Sequence, residues 1–440
     1  MAGAVAVAPA AAAAGETQVP DDVVDEILIR LPSRSSLARA AAACSAFRAL
    51  VSSPRFLRRH RARHGPCPGA LLGSFAFSSE GGVFHPAEPP HPSAAAARAV
   101  AAAADFSFAF LPPSQVDDPR KGLGWIVRDH RDGRFLLDRV ASLDDNVFPE
   151  LAVCDPLSRR YVVLPRIPEE LAAAVDRPLG VIGGRRRCEP FLAPCDADAD
   201  ADADDEAEEP AFAVIWTARC PRKVVAFAYS SRDRRWRALP SPECFVWSRQ
   251  RSPFGCPVHA VWNRRFYAHG CFYWLDCLTH RWLVLDTRAM EITVMEVPSP
   301  AGYWEEHVAV VEGEDGKVGV FAHDFYHAGG EACLYYYTIV DNDGGGDGPR
   351  WRLERTVPLQ WPAAHGRPYS IRAAANGSLI LEVSQGTPAF MTSYRSRDVE
   401  LYKVDVKSFK LEMICRARCA AGDIAWPYFG FPPLLSLPTV

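Results

Sequence analysis

One strand-turn-strand unit recurs from about residue 70 onward, and it constrains the fold more than any other feature. An alternating apolar strand leads to an Asp or Ser turn, then to a strand carrying Trp, Tyr or Val, then to a Leu-Pro or Val-Pro exit. The clearest copies are LAVCDPLSRRYVVLPRIP (151–168), VAFAYSSRDRRWRALPSP (225–242) and HGCFYWLDCLTHRWLVLDTRAMEITVMEVPSP (269–300). Fainter copies are KVGVFAHDF (317–325), CLYYYTIVDNDGGGDGPRWRLERTVPL (333–359), GSLILEVSQG (377–386) and VELYKVDVKSFKLEMI (399–414). Upstream, GLGWIVRDHRDGRFLLDRV (122–140) reads as a hairpin with Asp132-Gly133 at its turn.

Multi-strand units repeating at roughly 40–50 residues are the mark of propeller blades, and about 370 residues suggest six to eight of them. The 37 Pro residues agree. They exceed the roughly 5% average, and a residue that cannot donate to a helix or a central strand favours many short elements. Two insertions interrupt the array: the acidic run within 195–210 and DNDGGGDG, both read as exposed loops, the first as disordered.

The period changes upstream of the array. Residues 1–17 are a low-complexity Ala-rich stretch, read as a disordered leader because a secretory signal would carry a positive n-region and a more hydrophobic core. Residues 18–64 read as helices. Pro20, Asp21 and Asp22 suit a helix start, since Pro fits the first turn and acids suit the positive end of the dipole. Val23, Val24, Ile27, Leu28 and Leu31 then share a face, and Leu31-Pro32 ends the helix. A second stripe runs through Leu37, Ala40, Ala41, Cys44, Phe47, Leu50 and Val51, and Pro54 stops it or opens a third turn. So small a unit cannot bury both stripes within itself, so an apolar face is left for a partner.

Charge excludes some classes. Lys and Arg number 49 against 53 Asp and Glu, a net −4, but nine of the acids lie within Asp196–Glu209, so the remainder carries +5. Neither value describes a nucleic-acid surface. Thirteen Cys without a CxxC are read as thiols of a reducing compartment, cytoplasmic or nuclear. No stretch approaches the ~20 apolar residues of a membrane span.

At VPDDVVDEILIRLPSRSSLARAAAACSAFRALVSSPRFLRRHRARH the chain resembles an F-box. The matching positions are Val19-Pro20, Val24, Ile27, Leu28, Leu31-Pro32, Ser36-Leu37, Ala43-Cys44, Phe47, Leu50-Val51 and Ser53-Pro54-Arg55-Phe56. Val19, Ala43 and Phe47 replace larger family residues, which reduces the apolar surface. From residue 70 the chain is similar to the F-box-associated, kelch-like propellers of plant F-box proteins, chiefly in HGCFYWLD and the Val-Leu-Asp-Thr turn after it, without the kelch Gly-Gly doublets. The resemblance implies a three-helix F-box over 18–64 and a propeller over 70–440, acting as the substrate receptor of an SCF-type cullin-RING ubiquitin ligase. It implies a Skp-family adaptor and, through it, cullin as partners, with an unidentified protein as substrate. Adaptor-binding candidates are Val19, Pro20, Ile27, Leu28, Leu31, Pro32, Leu37, Cys44, Phe47 and Leu50, with Leu31, Pro32, Leu37 and Phe47 as anchors. Ile27, Leu28, Cys44 and Leu50 can equally pack inside the module, and Val24, Val51 and Phe56 are read as internal.

Other constellations favour bland readings. His323 and His327 flank Asp324 at a helical metal spacing, but on a strand they stand ~13 Å apart and cannot share an ion. Cys271 with Cys277, and Cys415 with Cys419, lack a second pair for zinc and read as buried thiols. No GxSxG or P-loop occurs, and Gly122-Leu123-Gly124 lacks a third glycine. The basic run from Arg55 to His64 reads as the solvated end of a helix rather than a nucleic-acid patch. Trp236, Trp274, Trp282 and Trp351 follow the repeat and read as blade core. The expectation is therefore a mainly β chain with a small all-α N-terminal module, non-catalytic, without cofactor, metal, nucleic acid or membrane. The alternatives are a propeller enzyme such as a glycosidase, whose channel would gather acids, or a scaffold that works without the adaptor.

Overall fold

The computed structural model describes residues 20–31, 34–64, 70–78, 81–113, 124–139, 147–178, 188–194, 211–240, 265–276, 281–296, 308–313, 316–323, 333–340, 350–359, 369–384, 397–419 and 424–430. The chain forms two compact units, Met1–Cys67 and Pro68–Val440. No helix among the described residues is long and apolar enough to cross a membrane.

The first unit holds α1 (Asp21–Leu28), α2 (Arg34–Ala43), α3 (Ser45–Val51) and α4 (Pro54–His64). Pro20 caps α1, and Asp21 and Asp22 occupy its first turn. Four helices stand where three were expected. The break is at Cys44, whose extended backbone (φ −151°, ψ 138°) interrupts the second apolar stripe and lets α3 fold back onto α2. This buries Leu37, Ala41 and Val51 with Leu28, Ile29, Phe56 and Leu57.

In the second unit the strands are β1 (Ala70–Ser78), β2 (Gly81–Pro86), β3 (Ile126–Arg131), β4 (Arg134–Arg139), β5 (Glu150–Asp155), β6 (Arg160–Val163), β7 (Glu189–Ala193) and β8 (Ala213–Cys220). They continue with β9 (Lys223–Ser230), β10 (Arg235–Ala238), β11 (Arg265–Ala268), β12 (Cys271–Asp276), β13 (Arg281–Asp286), β14 (Glu291–Glu296), β15 (Val308–Glu312) and β16 (Val318–His323). The last are β17 (Cys333–Val340), β18 (Arg350–Pro358), β19 (Tyr369–Ala375), β20 (Ser378–Ser384), β21 (Arg397–Asp405), β22 (Leu411–Cys419) and β23 (Ile424–Gly430). A helix α5 (Ala94–Ala103) packs Ala94, Ala97 and Val100 near β1 and β2, and a single turn α6 spans Glu169–Ala172.

Among the described residues the strands form six antiparallel sheets, which makes a six-bladed β-propeller, the lower end of the expected range. Blades 1 to 5 are the meanders β3–β6, β7–β10, β11–β14, β15–β18 and β19–β22. Blade 6 is composite, in the order β2-β1-β23, so that the start of the unit pairs with its end and closes the ring. Contacts between blades run through β23 to β3, β3 to β7, β11 to β15, β15 to β19 and β19 to β23, which places these strands innermost.

The core lies in the wedges between blades. Phe191 of β7 packs edge-on to Phe272 and Trp274 of β12, at 4.9 and 5.5 Å between ring centres. Trp216, Trp274 and Trp282 are fully buried, and Trp351 lies 5.2 Å from Trp282. The Leu164-Pro165 exit of the first blade ties it to the second: the Trp236 indole of β10 donates to the carbonyl of Pro165 at 2.8 Å.

Candidate functional site

Within the helical unit, α4 holds α1 by its basic residues. His60 Nε2 donates to the Leu31 carbonyl at 2.8 Å and His64 Nε2 to the Ile29 carbonyl at 2.6 Å. Arg59 bridges Asp25 and Glu26, the latter at 3.1 Å. Part of the basic run is thus engaged inside the unit, while Arg55 and Arg63 are exposed. The adaptor candidates separate by burial. Leu28 and Leu37 are inside. Leu31, Phe47 and Leu50 are half-buried, and Pro20 and Cys44 are exposed. Ile27 stands 58% exposed and Val23, one turn earlier on the same face, 47%. Val19 and Pro32 lie outside the described residues.

The propeller's polar chemistry gathers along its inner strands. Arg265 of β11 reaches Asp129 of β3 with Nη2 at 2.9 Å and Glu189 of β7 with Nη1 at 2.5 Å. Asp129 Oδ2 also accepts the Leu192 amide at 2.8 Å, and Glu189 Oε2 accepts the Trp274 indole at 3.1 Å. The Arg265 guanidinium lies 4.1 Å from the ring centre of Phe191, so a desolvated cation is compensated by two carboxylates and an aromatic face. Three blades are tied at one point.

Two further arginines occupy equivalent places. In β3 the register slips at Arg128, between Val127 and Asp129; in β19 it slips at Arg372, between Ile371 and Ala373. Such bulges re-aim a side chain. Arg128 Nε pairs with Asp138 of β4 at 2.8 Å, and Arg372 pairs with Glu382 of β20 at 2.7 Å, both acids being buried. Arg128, Arg265 and Arg372 each stand four residues before a turn, at Asp132-Gly133, His269-Gly270 and Asn376-Gly377. Both turn residues have positive φ in all three, the geometry of a tight two-residue hairpin that Asp, His or Asn followed by Gly can adopt. The legible signal is Arg-x-x-x-[Asp, His or Asn]-Gly repeated three times; inspection of the repeats for aromatic and Pro positions overlooks it.

Beside Arg128, His130 is enclosed between the Tyr428 and Phe135 rings, each 4.7 Å away. Burial pushes its imidazole down to about 3, with the Arg131 charge acting in the same direction. Arg131 itself lies over the Tyr267 ring at 4.5 Å.

A glycosidase needs one carboxyl group able to deliver a proton and a second as base or nucleophile. Asp129 and Glu189 instead spend their oxygens on guanidinium, amide and indole donors. Among the described residues no group of three or more His, Cys, Asp or Glu converges to hold a metal ion. His323 is buried, 4.7 Å from the Tyr369 ring, and residues 324–327 lie outside the described residues. Cys415 is buried as expected and Cys271 only half-buried, neither in a disulfide; Cys277 and the Cys419 side chain are outside the description. The acidic insertion also falls outside it.

No family model matches the chain, and no curated protein matches it. Among solved structures it is similar to the β-propeller domain of the Trilobed protease from Pyrococcus furiosus, with 8% identity over 67% of this chain and 72% of that one and a TM-score of 0.28. An α-L-arabinofuranosidase from Fusarium graminearum gives 14% identity over 69% and 82% at a TM-score of 0.30. An α-L-arabinanase from Penicillium chrysogenum gives 10% over 70% and 96% at 0.29. Likenesses at these scores carry no argument about activity, and the six-bladed ring rests on the strand pairing.

Proposed function

We propose that this chain is the substrate-recognition subunit of an SCF-type cullin-RING ubiquitin ligase, its helical unit docking on a Skp-family adaptor and its propeller holding the protein to be ubiquitinated. The observation that supports the reading is the pair Val23 and Ile27. The two large apolar side chains lie on one face of α1 in water, while Leu28 and Ile29 of the same segment are buried. A unit this small that leaves such a face uncovered is suited to a partner's apolar groove, where buried anchors supply most of the binding energy. Leu31, Phe47 and Leu50, half-buried, extend the contact.

In this role the chain performs no bond chemistry. It raises the effective concentration of a target lysine near a ubiquitin-loaded conjugating enzyme by holding both in one assembly. Acids engaged in ion pairs along the channel agree better with a binding module than with a hydrolase.

The test is capture of purified adaptor and cullin by the full chain. Wild type should retain both, and Val23→Asp with Ile27→Asp should lose them with the circular dichroism spectrum unchanged. Failure of wild type to retain the adaptor would remove the proposal.

A further inference from the structure

A dense group of arginines at one end of blades 1 and 2 is not used by the adaptor proposal. In a meander blade the turn after the first strand and the turn after the third lie at the same end. These are the β3–β4 and β5–β6 turns of blade 1 and the β7–β8 and β9–β10 connections of blade 2. Strand register sets their residues side by side. In blade 1, Arg131 stands opposite Arg134 and Asp155 opposite Arg160; in blade 2, Ser230 stands opposite both Ala213 and Arg235. With neighbouring strands ~4.8 Å apart, the four-strand row of blade 1 spans only ~15 Å.

Two contacts join the rows. Arg134 donates through Nη2 to the Ala211 carbonyl at 3.2 Å, with its guanidinium 5.8 Å from the ring centre of Phe212. The Phe212 amide in turn donates to Ser231 Oγ at 2.8 Å, and Arg232, Arg234 and Arg235 follow in the β9–β10 turn and strand β10. The segments 131–134, 155–160 and 230–235 together hold seven arginines, no lysine and three aspartates. One of those acids, Asp155, is buried and spends Oδ1 on the amides of Leu157 and Ser158. Arg159, Arg160, Arg232, Arg234 and Arg235 are exposed. Like charges this close repel one another, so their concentration here works against the fold until an anion offsets it.

We propose that this face of blades 1 and 2 binds an acidic segment of a partner protein, a run of Asp and Glu lying across the two rows. Arginine rather than lysine suits such a ligand, because its planar fork meets both oxygens of a carboxylate at once. Single-stranded nucleic acid would call for open aromatic faces beside the cations. Here the neighbouring rings, Tyr267 and Phe212, lie under Arg131 and Arg134 themselves. Assigning the acidic segment to the protein to be ubiquitinated rests on the receptor reading; the binding itself requires neither that reading nor the adaptor.

The experiment is fluorescence anisotropy of a labelled peptide of alternating Asp and Glu, about 10 residues and so ~33 Å when extended, titrated with the full chain without adaptor. Saturable one-to-one binding is expected at ~0.15 M salt, weakening as salt rises, with no binding of the Asn and Gln isostere. Arg232→Gln, Arg234→Gln and Arg235→Gln together should weaken it at least tenfold and Arg159→Gln several-fold, all exposed sites whose change should leave the urea midpoint in place. Arg222→Gln, exposed in the β8–β9 turn at the opposite end, should not change it. Val23→Asp with Ile27→Asp should leave peptide binding intact, so this proposal and the receptor reading fail separately. The proposal is overturned if wild type shows no saturable binding, if the triple variant binds like wild type, or if Arg222→Gln weakens binding equally. Tighter binding of a single-stranded oligouridylate than of the peptide would also overturn it. So would peptide binding that appears only once the nine acids of Asp196–Glu209 are replaced by Asn and Gln, which would make the chain's own acidic run the occupant.

Discussion

Ser74 donates a hydrogen bond through Oγ to the carbonyl of Trp426 at 3.3 Å, 352 positions further along the chain. The contact belongs to the β1–β23 pairing that closes the propeller, and with it Phe75 packs against Phe108, Phe135 and Trp426. Substitutions at Phe75 and Gly73 test how much this closing blade contributes to stability.

Phe75→Ala should therefore cost about 3–5 kcal/mol, the range for emptying a fully buried aromatic site. Gly73→Ala should also destabilise the closing blade. Its φ of +151° disfavours a side chain, and an added Cβ would lie 2.2 Å from the His85 carbonyl oxygen, backbone that cannot swing away. Urea titration followed by tryptophan fluorescence measures both; wild-type midpoints in either would show that blade 6 does not limit stability.

Arg265→Met should leave Asp129 and Glu189 facing each other without their shared cation, at a cost of about 3–5 kcal/mol. The triple variant that also carries Asp129→Asn and Glu189→Gln should recover most of the loss. Denaturant midpoints of the two variants separate the ion-pair account from a simple packing defect, because only the former predicts recovery.

His130 sets a pH dependence whose sign follows from its burial. Its folded value of about 3 lies below the roughly 6.5 of an unfolded histidine, so between these limits the unfolded chain binds the extra proton. Stability contributed here is present above pH ~6.5 and is lost as pH falls toward 3, by up to ~1.4 kcal/mol per unit. His130→Phe should flatten the profile between pH 6.5 and 4 relative to wild type, measured as urea midpoints across that range. Parallel profiles would show that the imidazole does not titrate with unfolding.

On α1, neighbouring residues should behave oppositely. Leu28→Ala empties a buried site and should destabilise the helical unit by about 2–5 kcal/mol, whereas Ile27→Ala, at an exposed site, should stay within about 0.5 kcal/mol. Thermal melts followed by circular dichroism at 222 nm, where the helices dominate, distinguish them.

Much of the blade pattern is local and so was legible. The alternation in HGCFYWLD becomes β12, Asp132-Gly133 is the β3–β4 turn, and Pro54 opens α4. Period-two alternation and turn chemistry depend on residues a few positions apart, and a single sequence contains both. The break at Cys44 was not legible, because a continuous apolar stripe describes one long helix as well as two that fold together. The pairing of β1 with β23 was not either, since strands at opposite ends of a chain carry no local mark of each other.

Charged residues show the same division. Arg128, Arg265 and Arg372 share their spacing to a Gly-containing turn in the sequence, but which carboxylates they meet is not written there, because arginine usually resides at the surface. What the sequence determined alone was the kind of most elements: helices within 18–64, mainly strands after 70 with the Ala-rich helix α5 as the exception, and the tight turn at Asp132-Gly133. The tertiary structure alone decided the number of blades, the strand that closes them and which charges share the channel. Those depend on how six sheets meet around one axis, and a contact between blades is a property of the closed ring rather than of any segment within it.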